Sequence, residues 1–145
     1  MNIKIKLLND LATVPTKGTR WAAGHDLYAA IPEGKVTIHP EETVLIGTGI
    51  AAEIPVTTFG AIFARSGLAT KQGLRPANCV GVVDSDYRGE IMVSIYNDST
   101  VDRTVSQGDR IAQLVILPYL VCDMEPTDEL SETERGNGRF GSTGK

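Results

Sequence analysis

Residues 78–97 read NCVGVVDSDYRGEIMVSIYN, with two apolar runs, Val80–Val83 and Ile91–Tyr96, on either side of the polar connection Asp84-Ser85-Asp86-Tyr87-Arg88-Gly89. Valine and isoleucine pack well on a pleated, half-buried surface. Asp, Ser and Gly suit a tight connection, since Asp and Ser bond their own backbone and Gly tolerates positive φ. The stretch predicts a β-hairpin. Working outward, the same alternation of short Val-, Ile- and Thr-rich runs with Gly, Pro, Asn or Asp recurs at Ile3–Leu8, Lys35–Ile38, Thr43–Ile50, Phe59–Ala64 and Ile111–Leu117. Runs of strand length with closely spaced turn signals argue for an all-β sandwich or barrel. Ile3-Lys4-Ile5-Lys6-Leu7 alternates strictly, as a strand with one buried face should. Only Ser66–Gln72 has the look of a short helical turn, whereas a βαβ architecture needs repeated helices of roughly 10–15 residues.

A chain of 145 residues fits one domain. Hydrophobic content of 41% and charged content of 22% support a packed core rather than disorder. No run approaches the ~20 apolar residues of a membrane helix. The opening MNIKIKLLND lacks the apolar stretch and cleavage site of a signal peptide, so a cytoplasmic protein with no membrane partner is expected. A net charge of −4 argues against nucleic acid as a partner. A small polyanion would need local arginines, amides or a metal ion. Cys79 and Cys122 sit in apolar runs and are expected to be buried, reduced thiols. Two Cys and two His are too few for a zinc site of the usual composition, and His25 and His39 stand alone among turn residues.

Four segments carry chemistry. In Ala64-Arg65-Ser66-Gly67-Leu68-Ala69 a charged fork, a hydroxyl and an unobstructed amide follow a strand and can cradle an anion. The 78–97 stretch can form a slot in which strand amides and carbonyls meet a base edge and Tyr87 packs on a sugar. Asp84, at the end of its first strand, would face a water. In Gly108-Asp109-Arg110-Ile111-Ala112-Gln113 the charged pair reads as a turn with mutual pairing, but Gln113 interrupts an apolar run and a buried amide needs partners. Asp26 in AAGHDLYAA is a lone carboxylate among small residues, placed to meet a metal's water shell. The chain ends in the acidic EPTDELSETE and then RGNGRFGSTGK, with four glycines in eleven residues. That composition suits either a disordered tail or a lid that orders on ligand.

Taken in order, AGHDLYAA, RSGLA, NCVGVVDSDYRGE, GDRIAQL and RGNGRFGSTG closely resemble the five motifs of the trimeric dUTPase family, spanning nearly the whole chain. The resemblance implies a jelly-roll-like β-barrel over residues 1–124, assembled as a homotrimer with sites shared between subunits. Residues 125–145 would be an arm and Gly-rich lid over a neighbour's site. It implies hydrolysis of dUTP to dUMP and pyrophosphate by water attack on the α-phosphorus, keeping uracil out of DNA and supplying dUMP for dTMP synthesis.

Carried over residue by residue, Asp84 is the general base. Asn78, Val82, Val83, the Asp84 backbone and Met92 hold uracil, and Tyr87 excludes a 2′-hydroxyl. Arg65, Ser66, Gly67 and Gln113 contact phosphates, while Arg135, Phe140, Gly141, Ser142 and Thr143 form the lid. Asp26 reaches Mg²⁺ through water. The chain departs from the family at Arg139, where the lid motif has glycine; a side chain there restricts the backbone or adds phosphate affinity. Two alternatives share the scaffold. A dCTP deaminase resembles Arg-Ser-Ser-x-x-Arg at the second motif and carries a catalytic glutamate where this chain has Ser94. A non-catalytic or regulatory nucleotide-binding protein would not need Asp84 and the full tail.

Overall fold

The structure is a computed structural model that describes residues 2–139. Among them are eleven strands and one helix: β1 (Lys4–Leu7), β2 (His25–Tyr28), β3 (Lys35–Ile38), β4 (Thr43–Gly47), β5 (Ile50–Glu53), β6 (Thr58–Phe63), α1 (Ser66–Gln72), β7 (Leu74–Pro76), β8 (Gly81–Val83), β9 (Met92–Asn97), β10 (Arg103–Ser106) and β11 (Arg110–Pro118). All strand pairing is antiparallel. The largest sheet runs β2-β11-β6-β8; a second runs β4-β9-β7, and β1-β5 and β10-β3 are two-stranded. This is the expected all-β class, and α1 covers the same residues as the predicted helical turn. Regular structure ends at Pro118, and residues 119–139 form no strand or helix.

Two expectations about connectivity change. The run Thr43–Ile50 is two strands, because Gly49 takes φ +66 and turns the chain between β4 and β5. That left-handed geometry is inexpensive only for a residue without Cβ. The 78–97 stretch is not a paired hairpin either: β8 joins β6, whereas β9 joins β4 and β7. Its arms diverge into two sheets, and the connection between them arches over the gap.

Inward faces of both larger sheets meet in one core that includes Leu27, Ile38, Ile46, Ile62, Leu74, Val93, Ile95, Ile111 and Leu114. An added Cβ at Gly60 would press on Ile54 and Leu114, so this glycine lets β6 approach the core closely. Asn97, fully buried, is satisfied: its amide donates to the carbonyls of Ile38 and Val101 at 2.9 and 2.8 Å, and its oxygen accepts from Ser99. Both cysteines are exposed, contrary to expectation. Cys79 sits at φ +60 in the turn before β8, and Cys122 lies beyond the end of β11, so neither thiol reaches the core, although Val83, four residues after Cys79, does.

At the β3 end, His39 Nδ1 and Asp102 Oδ1 are 2.9 Å apart. The hydrogen bond to Asp102, and then its charge, raise the His39 pKa above the ordinary 6.5. A raised folded-state value means the pair stabilises the fold below the unfolded pKa and loses that contribution as pH rises through the folded one. Both partners are well exposed, so the effect is small. Asp102→Asn is expected to open a Tm gap from the unaltered chain at about pH 5.5 that closes by about pH 9, as thermal melts across that range would read.

Candidate active site

The largest sheet builds a basic pocket on its outer face. Asp26 on β2 stands opposite Gln113 on β11, which in turn stands opposite Phe63 on β6. Directly opposed residues share a face, so the three project together. Arg110 and Gln113 are an odd number of residues apart and would face opposite ways in a regular strand. A bulge between Arg110 and Ala112 removes that conflict: Ile111 and Ala112 are both buried, and Arg110 pairs with Tyr28 on the face of Asp26. Arg110 Nη1 then reaches Asp26 Oδ2 at 3.2 Å. Arg65, the residue before α1, donates from Nε to Asp26 Oδ1 at 2.8 Å and from Nη1 to the Arg110 carbonyl at 3.3 Å.

One half-hidden carboxylate thus fixes two guanidinium groups, leaving their outer donors to a ligand. The expected Asp109–Arg110 pair does not form, since Asp109 accepts from the Ser106 amide instead. Gln113 donates to the Ala64 carbonyl at 2.8 Å, and its side chain lies over Gly24, where a Cβ would collide with it. Ser66, Gly67, Leu68 and Lys71 of α1 complete the wall of a cavity of about 640 Å³.

The second cavity, about 280 Å³, lies beside β8 and is lined by Asn78, Gly81, Val82, Val83, Asp84, Tyr87, Glu90 and Met92, with Ile62 and Ile91. Strand β8 is the outer strand of its sheet and pairs with β6 alone. Its far edge therefore presents unpaired backbone N–H and C=O groups, the requirement for reading a planar hydrogen-bonding edge. Asp84 leaves β8 at the mouth of this slot, exposed, and its carboxylate has no side-chain or backbone partner among the described residues.

The two cavities share no lining residue. Register puts Val83 opposite Gly60 and Gln113 opposite Phe63, so Asp84 and Gln113 sit at opposite ends of β6 and on either side of it. At ordinary spacings this is about 13 Å along the strand and about 10 Å across it. The slot and the pocket of one chain therefore lie well apart.

Residues 10–144 match the family model described as dUTPase. The deoxyuridine 5'-triphosphate nucleotidohydrolase of Nautilia profundicola is 47% identical over 145 residues, covering 100% of both chains. The chain belongs to the dUTPase family. The nucleotidohydrolase of the same name from Desulfitobacterium hafniense is also 47% identical, over 148 residues, covering 99% of this chain and 97% of its own. Among solved structures, the Staphylococcus bacteriophage 80alpha dUTPase with dUPNHPP superimposes with a TM-score of 0.90 at 28% identity, over 99% of both chains.

Against the motifs of the dUTPase family, the structure gathers Asn78, Val82, Val83, Asp84, Tyr87 and Met92 at the slot, and Asp26, Arg65, Ser66, Gly67 and Gln113 at the pocket. Arg135 is exposed and, among the described residues, donates only to the Gly138 carbonyl of its own tail, lining neither cavity. Phe140, Gly141, Ser142 and Thr143 lie outside the described residues. Of the charged residues lining these cavities, three are not among the site residues read from the sequence: Arg110, Lys71 and Glu90. The bulge that re-aims Arg110 leaves no mark in hydrophobic periodicity, and Lys71 reads as an ordinary charge at a helix end.

Proposed function

We propose that this chain hydrolyses dUTP to dUMP and pyrophosphate, with uracil in the β8 slot and Asp84 as the base. The observation that carries the proposal is an edge strand whose free backbone ends at an unpartnered carboxylate. Uracil offers a donor flanked by acceptors, which alternating backbone groups can match; cytosine inverts part of that pattern and leaves buried groups unpaired. Asp84 takes a proton from water as its oxygen bonds to the α-phosphorus, and the bond from that phosphorus to the oxygen bridging the β-phosphate breaks. Arg65, Ser66, Gly67 and Gln113 bind the phosphates and offset charge growing on the leaving pyrophosphate.

Among the described residues no cluster of His, Cys, Asp or Glu could hold a metal ion on its own. The basic pocket offers one carboxylate, Asp26, and each of its oxygens already accepts from an arginine while keeping a second lone pair. That donor set fits Mg²⁺ arriving on the triphosphate as part of the substrate, met by Asp26 through water. Because slot and pocket are too far apart within one chain, the working site pairs the slot of one subunit with the pocket of another, in a homotrimer. Leu120, Val121 and Met124, all exposed beyond β11, suit an arm that packs on a neighbour. Arg135, Phe140, Gly141, Ser142 and Thr143 close that site as a lid. No helix among the described residues is long and apolar enough to cross a membrane, and a cytoplasmic enzyme drawing on the nucleotide pool fits this reading.

Pyrophosphate release from dUTP, dCTP, dTTP and UTP with Mg²⁺ tests the proposal. The kcat/KM for dUTP is expected to exceed the others by about 10³-fold or more. Comparable turnover of dCTP would remove the slot from the account.

A further inference from the structure

Between Asp84 and the start of β9 at Met92 the chain has no sheet partner, yet it carries Tyr87, the residue read here as facing the sugar. What holds this arch is the β4–β5 turn at residues 48–50. Thr48 Oγ1 donates to the Ile91 carbonyl at 2.5 Å, the Gly49 amide donates to Glu90 Oε1 at 2.8 Å, and the Ile91 amide donates to the Ile50 carbonyl at 2.8 Å. Only the middle bond depends on a side chain of the arch. The Glu90 carboxylate lies so close over Gly47 that an added Cβ there would collide with it, and the Gly49 amide it accepts from is buried. Gly47, Gly49 and Glu90 therefore fit as a set.

From Glu90 the constraint passes to Tyr87. The Tyr87 hydroxyl donates to the Glu90 carbonyl at 3.0 Å, and its ring folds over Gly89, where a Cβ would overlap the phenol. Glu90 thus grips the barrel with its side chain and Tyr87 with its backbone. We infer that Glu90 is a positioning residue that sets the preference for deoxyribonucleotide over ribonucleotide by fixing the ring of Tyr87. The inference rests on the proposed reading of the slot and goes beyond it, because Glu90 need not touch the nucleotide. Without its carboxylate the Gly49 amide has no acceptor, the arch is held by two bonds to the turn, and the ring can yield to a 2′-hydroxyl.

The test is kcat/KM for dUTP and UTP with the unaltered protein, Glu90→Ala, Glu90→Gln and Tyr87→Phe, with Tm recorded for each. Glu90→Ala is expected to raise the UTP-to-dUTP ratio roughly tenfold. Glu90→Gln, which keeps an acceptor oxygen for Gly49, should return the ratio to its original value, and Tyr87→Phe, which cuts the other link, should raise it as Glu90→Ala does. A lowered Tm with an unchanged ratio in Glu90→Ala would overturn the inference and leave a purely structural role. Should Glu90→Ala fail to fold, an unchanged ratio in Tyr87→Phe has the same force. If the unaltered protein does not prefer dUTP over UTP, the slot reading fails and this inference with it.

Discussion

Asp84→Asn is expected to lower kcat for dUTP by about 10²–10⁴-fold while leaving affinity for a non-hydrolysable dUTP analogue close to that of the unaltered chain. The amide is isosteric with the carboxylate and keeps one acceptor oxygen while the other becomes an N–H donor, and it does not take a proton from water. Its surroundings make the variant clean. Asp84 follows the last residue of β8, is exposed, and its side chain has no partner among the described residues, so the substitution breaks no contact that supports the fold. Val83, just before it, is buried against the core and fixes the strand end from which the carboxylate projects. Single-turnover pyrophosphate release together with analogue binding would separate the two effects. Turnover equal to the unaltered chain would place the base elsewhere; loss of analogue binding together with loss of turnover would mean that Asp84 holds substrate instead.

Much of the fold was legible because its strands obey simple patterning. Lys35–Ile38 and Ser66–Gln72 match their predicted limits, since flanking turn residues such as Gly34 and Gly73, both at positive φ, punctuate them. What failed were pairing and breaks. A run such as Thr43–Ile50 looks continuous to any count of apolar residues, and only the φ of Gly49 divides it. Two short runs joined by a polar connection look like a hairpin whether or not they pair, because sequence proximity says nothing about which sheet each will join. The arms of 78–97 separate, and the slot exists because β8 keeps a free edge.

Candidate-site residues are legible where a motif is contiguous. Asp84, Tyr87, Arg65 and Ser66 sit in short stretches whose composition already indicates chemistry. Asp26 is legible only as a lone carboxylate among small residues: its bond to Arg65 spans thirty-nine positions and its bond to Arg110 eighty-four, and no local pattern encodes either. Glu90 is not legible for a related reason: the residues it meets, Gly47 at the end of β4 and Gly49 in the turn after it, lie in a run that looks like one continuous strand.

The second large effect follows from the separation of slot and pocket, which is the centre of the account. Asp84→Asn and Arg65→Ala should each be nearly inactive as pure proteins, the first without its base and the second without a principal phosphate donor. Mixed trimers behave differently if a site takes its slot from one chain and its pocket from another. A site built from the intact slot of an Arg65→Ala chain and the intact pocket of an Asp84→Asn chain has lost neither group. With equal amounts and random assembly, about a quarter of sites are of this kind. Coexpressing the two variants and assaying dUTP hydrolysis by the purified mixture measures it directly. Recovery of about a quarter of the activity of the unaltered protein is the predicted result; a mixture as inactive as its two components would show that each chain carries its own complete site and would contradict the account.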